Sequence, residues 1–253
     1  MRKYQDWMTV LSNRQIAKDV YEMKLEGEGA GKISAPGQFV NIKIVSLESQ
    51  PYLRRPMSVC EYDDHHLTII YKVVGKGTQL LTEKKPGDQL DMLLGLGNGF
   101  PLPDIKEALL VGGGVGVPPL YELGKQLKAR GVKITSVLGF NSQCDVFYET
   151  QFKALGEVYV ATMDGSYQDQ GTAVDVIRKR GLSYDRYFAC GPEKMLDALV
   201  LFDDKNGYLS FEARMGCGFG ACMGCSCKVK TKPYKRICVE GPVLEASEVI
   251  IHE

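Results

Sequence analysis

Tryptophan is almost missing from this chain, with Trp7 alone among 253 residues, and histidine occurs only at 65, 66 and 252. His65 and His66 follow Asp63 and Asp64, which reads as an exposed polar turn; the three histidines have no metal-binding or catalytic spacing. An excess of either charge is also missing: 31 Lys and Arg balance 31 Asp and Glu. A general nucleic-acid or anionic-membrane binder needs a cationic surplus, so neither class is expected. No run of about 18 apolar residues occurs, so no spanning helix is expected. Charges interrupt the opening MRKYQDWMTVLSNRQIAKDV, which argues against a signal peptide and for a cytoplasmic protein. Internal repeats and low-complexity linkers are absent. With 44% hydrophobic and 25% charged residues, the chain is not disordered, collagen-like or coiled-coil.

What is present has the pattern of more than one domain, since about 150 residues per domain is the usual scale. The first hundred residues read as strands. QFVNIKIV (38–45) sets Ile42 and Ile44 on one face against Asn41 and Lys43. LTIIYKVV (67–74) and QLDMLL (89–94) are similar, and all are bounded by Gly, Pro or Asp. Strands with no helical period between them predict an antiparallel barrel or sandwich.

Near residue 103 the pattern changes. ALLVGG (108–113) is a short continuous apolar run, as in a strand buried on both faces. A helix follows, with Pro119 at its first position, Leu120, Leu123 and Leu127 on one face, and Gly131 at its end. Then come a strand at 132–138, a helix near 146–155 and a strand at 158–163. A helix opens at Thr172 with Asp175 three residues on and stops at Gly181. RYFAC (186–190) is a further strand and MLDALVLF (195–202) a further helix. The alternation predicts a parallel sheet with helices on both faces.

The tail is too glycine-rich for regular structure and holds five of the eight cysteines: Cys217, Cys222, Cys225, Cys227 and Cys238. In a reducing compartment such a group binds metal rather than forming disulfides. The order Cys217-x4-Cys222-x2-Cys225, with Cys238 beyond, has the plant-type [2Fe–2S] spacing. A tight loop can supply three of the four thiolates, and Gly216, Gly218, Gly220 and Gly224 let its backbone wrap closely. A four-cysteine zinc site is the alternative, although zinc sites usually carry two C-x2-C pairs and only one exists here. Cys227 is the odd cysteine. Cys60 and Cys144 read as small buried residues.

Two further motifs suit anionic cofactors. Val111-Gly112-Gly113-Gly114-Val115-Gly116-Val117-Pro118-Pro119 follows a strand and opens a helix, the place for a dinucleotide phosphate loop; a plain tight turn is the alternative. Gly139-Phe140-Asn141-Ser142-Gln143 after the next strand contains no cation for a 2′-phosphate, which favours NAD over NADP. Arg54-Arg55-Pro56-Met57-Ser58 and Gly75-Lys76-Gly77-Thr78 in the β region could hold a second pyrophosphate, or the arginines could simply be solvated.

The order of these signals resembles the ferredoxin–NADP reductase superfamily. RRPMS, LLGLGNGFPL, LLVGGGVGVPPL, ACGPEKML and GCGFGACMGCSCKVK together resemble the family of electron-transfer subunits of dihydroorotate dehydrogenase B. The resemblance implies an FAD-binding β-barrel at 1–102, a Rossmann-like NAD-binding α/β domain at 103–207 and a [2Fe–2S] module at 208–253. By position it implies FAD contacts from Arg55, Pro56, Met57, Ser58, Tyr71, Lys72, Val73, Gly77 and Thr78. It implies an NAD site from Gly112, Gly113, Gly114, Gly116, Pro119, Cys190, Gly191 and Pro192, with Cys190 near the nicotinamide. Cys217, Cys222, Cys225 and Cys238 would hold the cluster, and Cys227 would not. It further implies a partner catalytic subunit that oxidises dihydroorotate at FMN, two copies of each chain in a heterotetramer, and a role in pyrimidine biosynthesis. Subunits of sulfide-, hydrogen- or ferredoxin-linked complexes in the same superfamily carry similar motifs and remain an alternative, as do a redox sensor and a zinc-stabilised binding module.

Overall fold

The computed structural model describes residues 4–44 and 50–251. Six strands, β1 (Tyr4–Ala17), β2 (Val20–Glu26), β3 (Phe39–Ile42), β4 (Arg55–Tyr62), β5 (His66–Lys72) and β6 (Gln89–Leu96), close a barrel in the order β1-β2-β5-β4-β3-β6. Every neighbouring pair is antiparallel. Met8, Met23, Leu25, Ile42, Ile69 and Leu90 fill its interior. A short helix, α1 (Lys76–Thr82), follows β5. Tyr71 ties it down: its hydroxyl donates to Asn13 Oδ1 at 2.9 Å, and Asn13 Nδ2 donates to the Leu81 and Lys84 carbonyls.

The strand expected over 38–45 is shorter. β3 ends at Ile42, and Val45 lies outside the described residues. The strand expected over 67–74 ends at Lys72, and Val74 is solvent-exposed. The pair Arg54-Arg55 splits its roles. Arg54 Nη2 meets both carboxylate oxygens of Asp91 at 2.7 and 2.8 Å, while its Nη1 donates to the Asp91 carbonyl. With side-chain exposures of 19% and 9%, this pair is a barrel staple rather than a solvated one.

Strands β7 (Glu107–Gly113), β8 (Lys133–Phe140), β9 (Glu157–Thr162), β10 (Asp169–Gln170), β11 (Arg186–Cys190), β12 (Gly207–Ser210) and β15 (Val243–Glu245) form one sheet in the order β10-β9-β8-β7-β11-β12-β15. All its pairings are parallel except β12 with β15. Helices α2 (Pro119–Ala129) and α3 (Glu149–Lys153) cover one face through Leu120, Leu123, Leu127 and Phe152. Helices α4 (Ala173–Arg180) and α5 (Glu193–Phe202) cover the other through Val176, Ile177, Leu196 and Leu199. Alternation along β7 explains this: Ala108 and Leu110 face the first pair, Leu109 and Val111 the second. The Thr172–Asp175 capping box and the left-handed Gly181 bound α4 as the sequence predicts. The helix expected over 146–155 is only five residues long, because Tyr148 takes a left-handed backbone (φ 63°) at its start. A hairpin of β13 (Ser226–Cys227) and β14 (Lys235–Arg236) carries the cysteine-rich tail.

Replacing Arg54 by Met would strand the Asp91 carboxylate with Gln5 as its one remaining side-chain donor among the described residues, which costs about 2–4 kcal/mol when a half-buried pair is broken on one side. The expected result is a clearly lower urea midpoint, partly restored by the apolar double variant Arg54→Met/Asp91→Leu. An unchanged midpoint would mean that the pair contributes nothing.

Candidate functional site

Three cavities follow one another, the first sharing lining residues with each of the other two. The first, about 380 Å³, lies between barrel and sheet. Arg55, Pro56, Met57 and Ser58 of β4 line it, with Tyr71 and Lys72 of β5 and Gly77 and Thr78 of α1. Val73, expected among them, is not a lining residue; its N–H is turned away to the Asp19 carbonyl at 2.8 Å. Arg55 lies across the bare backbone of Gly77, where a Cβ would come within 2.8 Å of its Nε. A guanidinium over an unobstructed main chain is a cradle for a phosphate. The Thr78 hydroxyl is already engaged, accepting from the N–H groups of Val74 and Gly75 and donating to the Gly75 carbonyl. Its hydroxyl thus shapes the loop that leads into α1.

The far wall of this cleft comes from the sheet: Val115, Cys190, Ser210, Phe211, Glu212 and Met215. Burial, with the Glu212 carboxyl adding to it, pushes the Cys190 thiol up to about 12, so it stays a neutral thiol. Glu212 lines both this cavity and the third, and partial desolvation raises its carboxyl above the ordinary value although the residue as a whole is exposed. Sequence reasoning misses Ser210 and Glu212. They fall between the last parallel strand and the first cysteine, where no spacing marks them.

The second cavity, about 470 Å³, sits at the carboxyl ends of β7, β8 and β9. Gly113 and Gly114 line it from the glycine loop and Pro192 from the segment after β11. Gly112, Gly116, Pro119, Cys190 and Gly191 are not lining residues. Gly112 packs where a Cβ would be 2.8 Å from Val117, and at Gly116 a Cβ would be 2.2 Å from the Cys190 carbonyl oxygen. These glycines close the backbones together behind the cavity, and only Gly114 (φ 52°) has open space in front of it. The cavity also contains Lys194 at the start of α5, a cation that the strand-by-strand reading did not count. Lys72 and Val115 line both cavities, so the two adjoin.

The third cavity, about 230 Å³, shares Phe211, Glu212 and Ala213 with the first and reaches Cys225 and Cys227. Next to it the cysteines fall into two pairs. Cys217 Sγ accepts from the N–H groups of Phe219, Ala221 and Cys222 at 3.3–3.4 Å, and the Cys217 N–H points to Cys222 Sγ at 3.5 Å. The Cys238 N–H points to Cys225 Sγ at 3.5 Å. Partial burial works against ionisation of Cys217, but these amides outweigh it and bring the thiol down to about 6. Burial and the neighbouring Cys225 push Cys238 up to about 12. Gly218 (φ 75°), Gly220 (φ 89°) and Met223 (φ 60°) take the left-handed turns that the wrapping needs. At Gly218 a Cβ would lie 2.4 Å from Asn41 Nδ2, so the loop rests directly on β3. Cys227 stands apart on the hairpin, half-buried, with burial raising its thiol. Cys60 is buried as expected, whereas Cys144 is exposed, because the loop that carries it lies at the surface. All eight cysteines are free of disulfides.

The comparisons with known proteins agree with this geometry. The family model "Iron-sulfur cluster binding domain of dihydroorotate dehydrogenase B" matches residues 212–250. The dihydroorotate dehydrogenase B (NAD(+)) electron transfer subunit of Geobacillus thermodenitrificans is 52% identical over 252 residues, covering 96% of this chain and 98% of its own. That of Fusobacterium nucleatum is 48% identical, over 96% and 97% of the two chains.

The chain belongs to the family of dihydroorotate dehydrogenase B electron-transfer subunits. It is therefore one subunit of an NAD-dependent oxidoreductase, and it works with a catalytic partner. A solved chain of the NADH-dependent reduced ferredoxin–NADP oxidoreductase, described for flavin-based electron bifurcation, superposes with a TM-score of 0.87 at 30% identity, covering 96% of this chain and 90% of that one. A ferredoxin reductase of carbazole 1,9a-dioxygenase shares the fold at 22% identity and a TM-score of 0.67. Among the described residues, no helix is long and apolar enough to cross a membrane.

Cys222→Ser removes the exposed member of the first cysteine pair. The expected result is loss of the cluster absorbance and of electron delivery to the partner, while NADH still bleaches the flavin. Retention of the full cluster signal would contradict this assignment of the four cysteines.

Proposed function

We propose that the first cavity holds FAD, the second the nicotinamide nucleotide NAD, and the paired cysteines a [2Fe–2S] cluster. A flavin exchanges electrons in pairs with a nicotinamide and singly with an iron–sulfur centre, so its place is between the other two. The observation that carries the reading is the sharing of walls: Val115 and Lys72 separate the first cavity from the second, and Phe211, Glu212 and Ala213 separate it from the cysteine hairpin.

The residues present fit these groups. Arg55 over Gly77 offers a positive, unobstructed bed for the FAD pyrophosphate, and Tyr71, fixed by Asn13, forms a rigid wall for the ring system. Cys190 lines the first cavity as a neutral thiol, and Pro192, two residues on, lines the second. Two thiolates per iron is the requirement of a binuclear cluster, and the pairs Cys217/Cys222 and Cys225/Cys238 meet it.

In this reading dihydroorotate is oxidised at FMN of the partner, electrons enter through Cys217–Cys238, and NAD⁺ receives them from the flavin cleft. The division of labour follows 1–102, 103–207 and 208–253. The assembly is a heterotetramer with two of each chain, working in cytoplasmic pyrimidine biosynthesis. The approximately 50% identity to dihydroorotate dehydrogenase subunits, against 30% to the ferredoxin-linked chain, favours this over the sister complexes.

The complex co-purified anaerobically should reduce NAD⁺ with dihydroorotate. Removing this chain should abolish NADH formation while dihydroorotate still reduces an artificial dye. NADH formation without this chain would refute the proposed route.

A further inference from the structure

The connection between β8 and α3, residues 141–148, faces two ways. Asn141, Asp145 and Phe147 form part of the wall of the second cavity. The same stretch is fastened to the barrel at three points. The Lys18 N–H, in the β1–β2 turn, donates to the Cys144 carbonyl at 3.0 Å. Lys72 Nζ lies 3.6 Å from Asp145 Oδ1. The Tyr148 hydroxyl donates to Glu22 Oε2 at 2.8 Å.

The third contact is the most enclosed. Glu22, on β2, is 2% exposed and its other oxygen pairs with Arg14 at 2.8 Å. Tyr148 is 9% exposed, and the buried Cys60 thiol neighbours its hydroxyl. Tyr148 adopts φ 63°, a backbone region that a bulky residue occupies only where its surroundings hold it there. Glu22 sits opposite Ile70 on β5, two residues before Lys72, and Lys72 lines both cavities. Neither Tyr148 nor Glu22 lines a cavity itself.

We propose that Tyr148 and Glu22 are positioning residues for electron exchange between nucleotide and flavin: their hydrogen bond clamps the 141–148 wall onto β2 and so sets where the nucleotide lies relative to the flavin cleft. The inference rests on the reading of the second cavity as the NAD site. A hydrogen bond to a carboxylate in a water-poor seam is among the stronger kind, and its loss leaves the Glu22 oxygen without its donor. The clamped arrangement then becomes one of several, and binding weakens by the fraction of time the wall is out of place.

The test uses the full chain loaded with FAD and cluster, as wild type, Tyr148→Phe, Glu22→Met and the double variant. Anaerobic stopped-flow absorbance follows flavin reduction over a range of NADH concentrations. The expected result is a roughly tenfold rise in the half-saturating NADH concentration in each single variant, with the limiting rate changed much less. The double variant should be no worse than the singles, because both remove one bond. FAD content, cluster absorbance and reduction by dithionite should match wild type. A bond that serves stability alone would lower the melting temperature and leave the NADH dependence where it was; half-saturation within twofold of wild type in both single variants overturns the proposal. So do effects that multiply in the double variant. If Tyr148→Phe fails to fold, Glu22→Met interrogates the same bond from the barrel side. Failure of NADH to reduce the wild-type flavin would instead refute the nucleotide reading, a result separate from any behaviour of the variants.

Discussion

Two backbones pass so close at the ends of β7 and β11 that Gly116 has room for hydrogen and nothing larger, its neighbour being the Cys190 carbonyl. The rest of the site depends on this approach. Adjacent parallel strands whose connections run to opposite sides leave a crevice at their carboxyl ends, and ligands of open α/β sheets bind in such crevices. Here the crevice is divided. Cys190 lines the first cavity, Gly113, Gly114 and Pro192 line the second, and Val115 stands in the wall of both. A side chain at 116 would push the glycine loop and the end of β11 apart.

The chain then leads on to the third cavity. β12 runs beside β11, and the residues just after it, Phe211 to Ala213, wall the first cavity on one side and the third on the other. Four residues later comes Cys217. β15 returns antiparallel along β12, and Asn98, at the exit of the barrel, bonds both the N–H and the carbonyl of Val243. The cysteine hairpin is thereby tied to barrel and sheet at once, and Cys225 and Cys238 share the core cluster that contains Leu109 and Leu209. The cysteine loop is thus packed into the same core as the sheet whose strand ends wall the first cavity.

Much of this was legible because the chemistry demands particular residues locally. The four cysteines, the glycine loop after β7 and the Thr172–Asp175 cap are each determined by a few neighbouring positions. The strand β1 was not legible: of its 14 residues only Met8 and Val10 are buried, so its alternation is drowned by polar residues. The helix α1 was hidden because seven residues carry too little period. Arg54 and Arg55 are indistinguishable in sequence, yet one staples the barrel and the other faces the cleft, a difference set by Asp91, 37 residues away. Lys194 and Glu212 reach their cavities only through the sheet order. Cys144 is exposed because the surface path of its loop was not encoded in the loop itself.

The central claim is that the cleft between barrel and sheet carries electrons between the nucleotide and the cysteine cluster. The most direct measurement is anaerobic reduction of the cluster by NADH, followed by its absorbance and electron paramagnetic resonance, in the full chain stripped of flavin and again after FAD is restored. No cluster reduction without FAD, and rapid reduction with it, is the result predicted. Reduction of the cluster by NADH at the same rate in the flavin-free chain would contradict the account.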